Sequence, residues 1–251
     1  MADTGKILRI GNITRKDGRT LVIAIDHGMG GMTQGIEDIE SVVKKIIDGG
    51  ADAILVNLGF AKKIAWTVSG RIGLVLSIPY NPVYVKLAAK IGADMVKTTY
   101  FGPVPLSEER MGQVSEIALA AEEWGMPTMI EVVPVDSQGK TIYDVSAIKQ
   151  AARIGSELGG DLIKTAYAGS PQEYKEVTGT CLTPIVVMGG AKMDNASDLL
   201  KMVKDSVAAG AVGGAIGRNI WQYKDPTKIT RAAISIIHEK ASLEEALKLL
   251  K

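Results

Sequence analysis

A single-domain α/β protein closed into a (β/α)8 barrel, the TIM-barrel architecture, is what this sequence predicts, on three observations. Eight short apolar runs alternate with segments of helical period across 251 residues. Strands buried on both faces read as such near-continuous apolar runs. A glycine-led unit also recurs before alternate runs: Gly50-Ala51-Asp52-Ala53-Ile54-Leu55, Gly92-Ala93-Asp94-Met95-Val96-Lys97, Gly160-Asp161-Leu162-Ile163-Lys164 with Gly159 before it, and more loosely Gly210-Ala211-Val212. Finally, no Pro/Ser-rich linker or low-complexity tract divides the chain. An open doubly wound sheet is the competing architecture, but its edge strands have no reason to resemble one another.

Residues 1–19 are expected to cover the bottom of the barrel. Between the repeat copies, Thr20–Ile25, Gly73–Ile78, Thr128–Val133 and Pro184–Met188 supply the other four strands. Each repeat glycine can end the preceding helix in the left-handed conformation, and the residues after it open a strand. Helical spacing predicts helices over Ile36–Asp48, Pro82–Lys90, Glu108–Trp124, Ser146–Leu158, Ala196–Ala208 and Thr227–Lys240. Ala61–Val68 carries a weaker pattern and Gln172–Thr178 a short one. Leu243, Ala246, Leu247 and Leu250 share one face of a terminal helix at about 242–250.

Composition narrows the function. Basic and acidic residues number 29 and 28, for a net charge of +1, with no basic face for nucleic acid and no acidic tail. Cys181 is the single cysteine, so no intramolecular disulfide forms, and a reducing compartment fits. The polar stretch Met1–Thr20 has no signal-peptide core, and no apolar run reaches the roughly 18 residues of a membrane span. A soluble, cytoplasmic enzyme without nucleic-acid or membrane partners is expected.

Active sites of such barrels lie at the carboxyl ends of the strands. Read there, the sequence offers Asp26 after strand one, Lys97 on strand four, Glu131 on strand five and Lys164 on strand six. A mid-strand lysine should point into the barrel, since outward positions lie dry beneath helices. Desolvation and a neighbouring cation then favour the neutral amine, the form that attacks a carbonyl. Lys97 and Glu131 tune that amine and move protons, and Asp26 orients it or shuttles protons. The competing readings are a structural lysine–carboxylate pair in the lumen and a turn-capping role for Asp26. His27, beside glycines, reads as structural. The two histidines are far apart and no Cys/His cluster exists, so no metal or other cofactor is expected. Gly189-Gly190-Ala191-Lys192 after strand seven and Gly217-Arg218-Asn219 after strand eight occupy the two loops that commonly hold phosphate in this architecture. Glycines admit backbone amides to the oxygens, and Arg218 supplies charge. Trp66, Trp124 and Trp221 read as packing or interface residues.

Asp26-His27-Gly28, the Ile-Lys-Thr-Ala-Tyr run holding Lys164, the Gly-Gly-Ala-Lys turn and Gly217-Arg-Asn-Ile-Trp-Gln together resemble the archaeal-type class I aldolases, the DhnA family. The resemblance runs from about Arg19 to His238. It implies a barrel enzyme that works through a lysine Schiff base, with Lys164 as that lysine and Asp26 as its aspartate. It implies phosphate turns at Gly189, Gly190, Gly217 and Arg218, a phosphorylated sugar substrate such as fructose 1,6-bisphosphate, and a homo-oligomer, often a decamer. Relatives within the resemblance include a synthase of archaeal aromatic biosynthesis and a thiolase acting on phosphorylated autoinducer-2. Two positions depart from the fructose-bisphosphate pattern. Val133 stands before Pro134 where those enzymes carry a tyrosine, and Lys97 stands on strand four. An imine-forming transaldolase, synthase or thiolase is therefore the alternative outcome, and a barrel that binds a phosphometabolite without turnover is the alternative of another class.

Overall fold

In the computed structural model, residues 4–31, 33–102 and 107–251 are described. Eight parallel strands close into one ring in chain order: β1 (Thr20–Ala24), β2 (Ala53–Val56), β3 (Gly73–Ser77), β4 (Met95–Gly102), β5 (Thr128–Pro134), β6 (Leu162–Thr165), β7 (Ile185–Met188) and β8 (Gly213–Ile216). The ring closes where Thr20–Ile23 of β1 runs in register with Gly213–Ile216 of β8. The protein is thus the predicted (β/α)8 barrel. Around it lie α2 (Ile39–Asp48), α3 (Leu58–Val68), α4 (Val83–Lys90), α5 (Glu108–Glu123), α6 (Val145–Glu157), α7 (Pro171–Thr180), α8 (Ala196–Ala208), the single turn α9 (Arg218–Trp221), α10 (Pro226–Glu239) and α11 (Leu243–Lys248), preceded by α1 (Thr4–Ile13).

The helix starts are written in side chains. Asp38, Ser107, Asp144, Ser170, Asn195, Asp225 and Ser242 each accept a backbone N–H from the first turn that follows them. Asp38 therefore starts its helix three residues later than periodicity alone predicts, and the helix after Pro82, which makes no side-chain cap, starts one residue later. α3 begins at Leu58, earlier than expected, and strand eight lies slightly later than its glycine unit.

The repeat has a physical cause. Gly50, Gly92, Gly159 and Gly210 take φ of 87°, 77°, 93° and 104°, so each ends its helix in the left-handed region. The aspartate of each unit then clasps the preceding strand. Asp52 donates its N–H to the Leu21 carbonyl and accepts the Leu21 N–H on its carboxylate at 2.7 Å. Asp94 does the same with Leu74 (2.9 Å) and Asp161 with Thr128 (2.8 Å). In the fourth unit Val212 donates its N–H to Ile185 but has no carboxylate to return the bond.

Two buried clusters divide the strand residues by the period of two. Leu21, Ile23, Ile54, Val56, Leu76, Ile130 and Ile163 face the helices. Val22, Ala24, Ala53, Leu55, Val75, Met95, Met129, Leu162, Val186 and Ala215 fill the lumen, with Ile13 of α1 packed against them from the amino-terminal end. Two residues further along the inward rows come Asp26, Asn57, Ser77, Lys97, Glu131 and Lys164. The lumen therefore turns from apolar to ionic at one level, by alternation alone.

At the amino-terminal end, His238 of α10 is held between Asp17 and Asp52, each 2.9 Å from one ring nitrogen. Burial opposes its protonation, and so does nearby Arg15. The two carboxylates outweigh both and raise its pKa above that of an ordinary histidine. A raised histidine stabilises the fold fully below its unfolded pKa and loses that contribution as pH rises through the folded value. Melting temperature should therefore fall as pH rises above about 6.5, and His238→Gln should flatten that slope. An unchanged slope in the variant would remove His238 as its source.

Candidate active site

At the carboxyl end of the lumen, strand register assembles an ionic chain. Ser77 lies opposite Lys97, Thr99 opposite Glu131, and Glu131 opposite Lys164. Lys164 Nζ is 2.6 Å from Glu131 Oε1, and Lys97 Nζ is 2.9 Å from Glu131 Oε2. Lys97 Nζ also lies 2.7 Å from Asp26 Oδ2. The Thr99 hydroxyl donates to Glu131 at 2.9 Å and accepts from Lys97. Lys97, Glu131 and Lys164 are all buried, at 4–5% exposure, so little water shares the charges.

Four of the sequence-predicted residues thus form one contiguous group of zero formal charge. Two details differ from expectation. Lys97 does not face Lys164 as a bare neighbouring cation, because Glu131 sits between them. Asp26 occupies the N-cap position of a 3-10 turn over His27–Gly30, but its carboxylate makes no cap hydrogen bond and turns to Lys97 instead.

Electrostatics follow from this order. Burial alone would raise Glu131, yet Lys164 and then Lys97 hold its carboxyl well below the usual carboxylate range. Burial would likewise depress Lys97, but Glu131 and Asp26 hold its ammonium well above the usual lysine range. Asp26 is pulled below its ordinary value, the lysines outweighing its burial. Lys97 is therefore a fixed cation and Glu131 a fixed anion.

The glycine turns form the second group. Asn219, buried at the start of α9, donates its side-chain amide to the carbonyls of Gly189 and Ala191, each at 2.9 Å, and accepts the Met193 N–H at 2.7 Å. Arg218 donates to the Gly190 carbonyl at 3.2 Å. The loops after β7 and β8 are thus tied into one unit, with Gly189, Gly190, Gly217 and Arg218 together. A Cβ on Gly217 would lie 2.6 Å from His27 Cε1 and 2.8 Å from the Ala24 carbonyl, so no side chain fits there. Trp221, buried, donates its indole N–H to the same carbonyl and packs edge-on to His27, as the packing role predicts, whereas Trp66 is 95% exposed.

Thr99 was not singled out by sequence reasoning, Asn219 was named there only as part of the loop after strand eight, and His27 was read as structural. His27 is the link between the two groups. Burial depresses its imidazole, Asp26 opposes that, and Lys164 and Arg218 add to it, so the ring lies within electrostatic reach of both. Among the described residues its buried Nδ1 has no partner within hydrogen-bond distance, with Asp26 Oδ1 3.6 Å away. Among the described residues there is no cluster of three or more metal-ligating side chains, and no helix is long and apolar enough to cross a membrane.

Comparison with known proteins agrees with this geometry. A model of the DeoC/LacD family aldolases matches residues 20–223. An uncharacterized aldolase of Saccharolobus solfataricus is 31% identical, with 98% of this chain and 99% of that protein covered. The 2-amino-3,7-dideoxy-D-threo-hept-6-ulosonate synthase 1 of Archaeoglobus fulgidus is 33% identical over 97% of this chain and 95% of its own. A solved archaeal fructose-1,6-bisphosphate aldolase, with its catalytic lysine covalently bound to the carbinolamine intermediate, superposes with a TM-score of 0.80 at 27% identity, covering 92% of this chain and 98% of that one. The chain belongs to the DeoC/LacD family of aldolases and is a class I aldolase, a carbon–carbon lyase.

Proposed function

We propose that Lys164 is the imine-forming residue and that the substrate is a phosphorylated ketose of the fructose 1,6-bisphosphate type. The observation that carries this reading is the Lys164 amine, buried in the lumen against Glu131 with Lys97 and Asp26 beyond. Lys164 first passes one ammonium proton to a neighbouring carboxylate, the freed amine adds to the ketone carbon, and that proton returns to the carbinolamine hydroxyl, which leaves as water to give an iminium. The iminium cation takes the place of the ammonium, so the Glu131 carboxylate already faces the charge that the reaction needs. The iminium draws electrons as the C–C bond breaks, while a carboxylate accepts the proton of the substrate hydroxyl. Asp26 is the better placed for that proton, since Glu131 is held by both lysines. The resulting enamine is protonated and hydrolysed, releasing the second product and free Lys164. The glycine turns and Arg218 hold the phosphate. No other cofactor takes part in this scheme.

Borohydride added with dihydroxyacetone phosphate tests it. A reduced adduct should appear on the peptide holding Lys164 and nowhere without ketone. Turnover in the presence of ketone and borohydride, with no adduct, would overturn the imine.

A second reading keeps the imine and changes the acceptor. Val133 replaces the tyrosine before Pro134, and two similar relatives are named as 2-amino-3,7-dideoxy-D-threo-hept-6-ulosonate synthases. Transfer of the enamine to a second aldehyde would then be the main reaction. Product analysis with added aldehydes separates the two, since simple cleavage of the bisphosphate as the dominant activity dismisses transfer. A homo-oligomer goes with either reading, and Trp66, Ile7, Leu8 and Leu119 are exposed.

A further inference from the structure

We infer that the cavity behind the glycine turn after β7 is a second ligand site, for a small molecule that joins a planar ring to an anionic group. The inference stands apart from the imine and its substrate. The cavity, of about 510 Å³, lies between the loops after β6 and β7 and the flank of α8. Small-molecule sites run to roughly 300–1,000 Å³. Asp26, Lys97, Glu131 and Lys164 do not line it. Gly189, Gly190 and Ala191 do, and Asn219 and Arg218 hold the carbonyls of those three residues from the β8 side. The turn is therefore a wall common to the barrel mouth and this cavity.

The ring follows from the lining. Met188, Met193 and Met202 offer thioethers, and Tyr143 and Tyr167 offer aromatic rings. Both groups pack well on a planar ring. Tyr143 is exposed, with its hydroxyl beside Gly190. Tyr167 is fixed edge-on to buried Tyr174, ring centres 5.3 Å apart. No well-aligned hydrogen bond reaches its buried hydroxyl, and the nearby Asp205 carboxylate is taken by Lys201. Burial first, and then Asp205, push this phenol up to about 12, so it keeps its proton. A buried donor of this kind calls for an acceptor, which the edge of a polar ring supplies.

The anion follows from Lys192. It stands on the shared turn and donates to the Gln222 carbonyl at 2.8 Å. Among the described residues, no carboxylate lies within ion-pairing distance of it. The two carboxylates of the lining are engaged elsewhere, Asp205 by Lys201 and Asp198 by Asn195. An ammonium without a counter-charge beside an apolar cavity favours an anion there. A larger cavity of about 1150 Å³ at the amino-terminal end lacks these signals. There Arg15 is taken by Asp52 and the Gly50 carbonyl, and Asn12 by Asp94.

Two sources supply such a molecule, a nucleotide and a free aromatic acid. Calorimetry with adenosine 5′-monophosphate and indole-3-acetate separates them, with adenosine and indole-3-acetamide as uncharged controls. At least one of the two acids should bind, about tenfold more tightly than its control, and the one that binds names the source. Lys192→Gln should shrink that advantage to about twofold. Met202→Trp fills the cavity from the α8 side and should abolish binding. Tyr167→Phe removes only the unmatched hydroxyl and should weaken binding about fivefold. A thermal melt shows whether Met202→Trp folds, and if it does not, Tyr167→Phe decides alone. Binding of neither acid, or no advantage over the uncharged controls, would overturn the inference. So would wild-type affinity in folded Met202→Trp or in Tyr167→Phe, which would place the anion at the barrel mouth instead.

Discussion

Replacement of Lys164 by methionine should abolish borohydride trapping and lower turnover by at least about ten-thousandfold, because the covalent intermediate has no other amine to form on. Lys97 does not substitute. Its ammonium is held charged by Glu131 and Asp26, and a charged amine has no lone pair to offer. The fold should survive. Glu131 keeps Lys97 at 2.9 Å and the Thr99 hydroxyl at 2.9 Å, so no isolated charge remains. Kinetics, intact mass after reduction and a thermal melt read the three parts. Residual activity within tenfold of wild type would remove Lys164 from the chemistry. Loss of the folded state would favour a purely structural ion pair.

Glu131→Gln should have the opposite signature, a large loss of stability. It leaves two ammonium groups in a lumen where each is only 5–6% exposed at the side chain. Lys97 retains Asp26, but Lys164 loses its one carboxylate partner. Removing one member of a buried ion network costs about 3–5 kcal/mol, which in a domain of this size lowers Tm by roughly 6–20 °C. Denaturant titration checks this. A variant as stable as wild type would show that the carboxylate does not balance the two cations.

Much of this was legible in the residues because the chemistry repeats along the chain. Strands came from apolar runs, and the lumen charges came from alternation at strand ends. α1 was not legible, since its Ile7 and Leu8 are exposed and only Ile13 packs inward. α9 is too short to carry a period. Within the site, Asp26, Lys97, Glu131 and Lys164 could be found singly, but their order could not. That Glu131 separates the lysines depends on register between β4, β5 and β6, which no spacing along one chain reports. Thr99 was hidden for the same reason, and Asn219 because its amide matters only once two loops meet.

The clasps between strands give the ring uneven strength. Three of its quarters are fastened twice, by an aspartate that both gives and receives a hydrogen bond with the strand before it. The quarter built from β7 and β8 is fastened once, because Val212 stands where the others have a carboxylate. Breathing of the ring should begin at that quarter. Its upper edge carries the proposed phosphate turns, so the arc of the wall expected to be softest lies beside the proposed anion site.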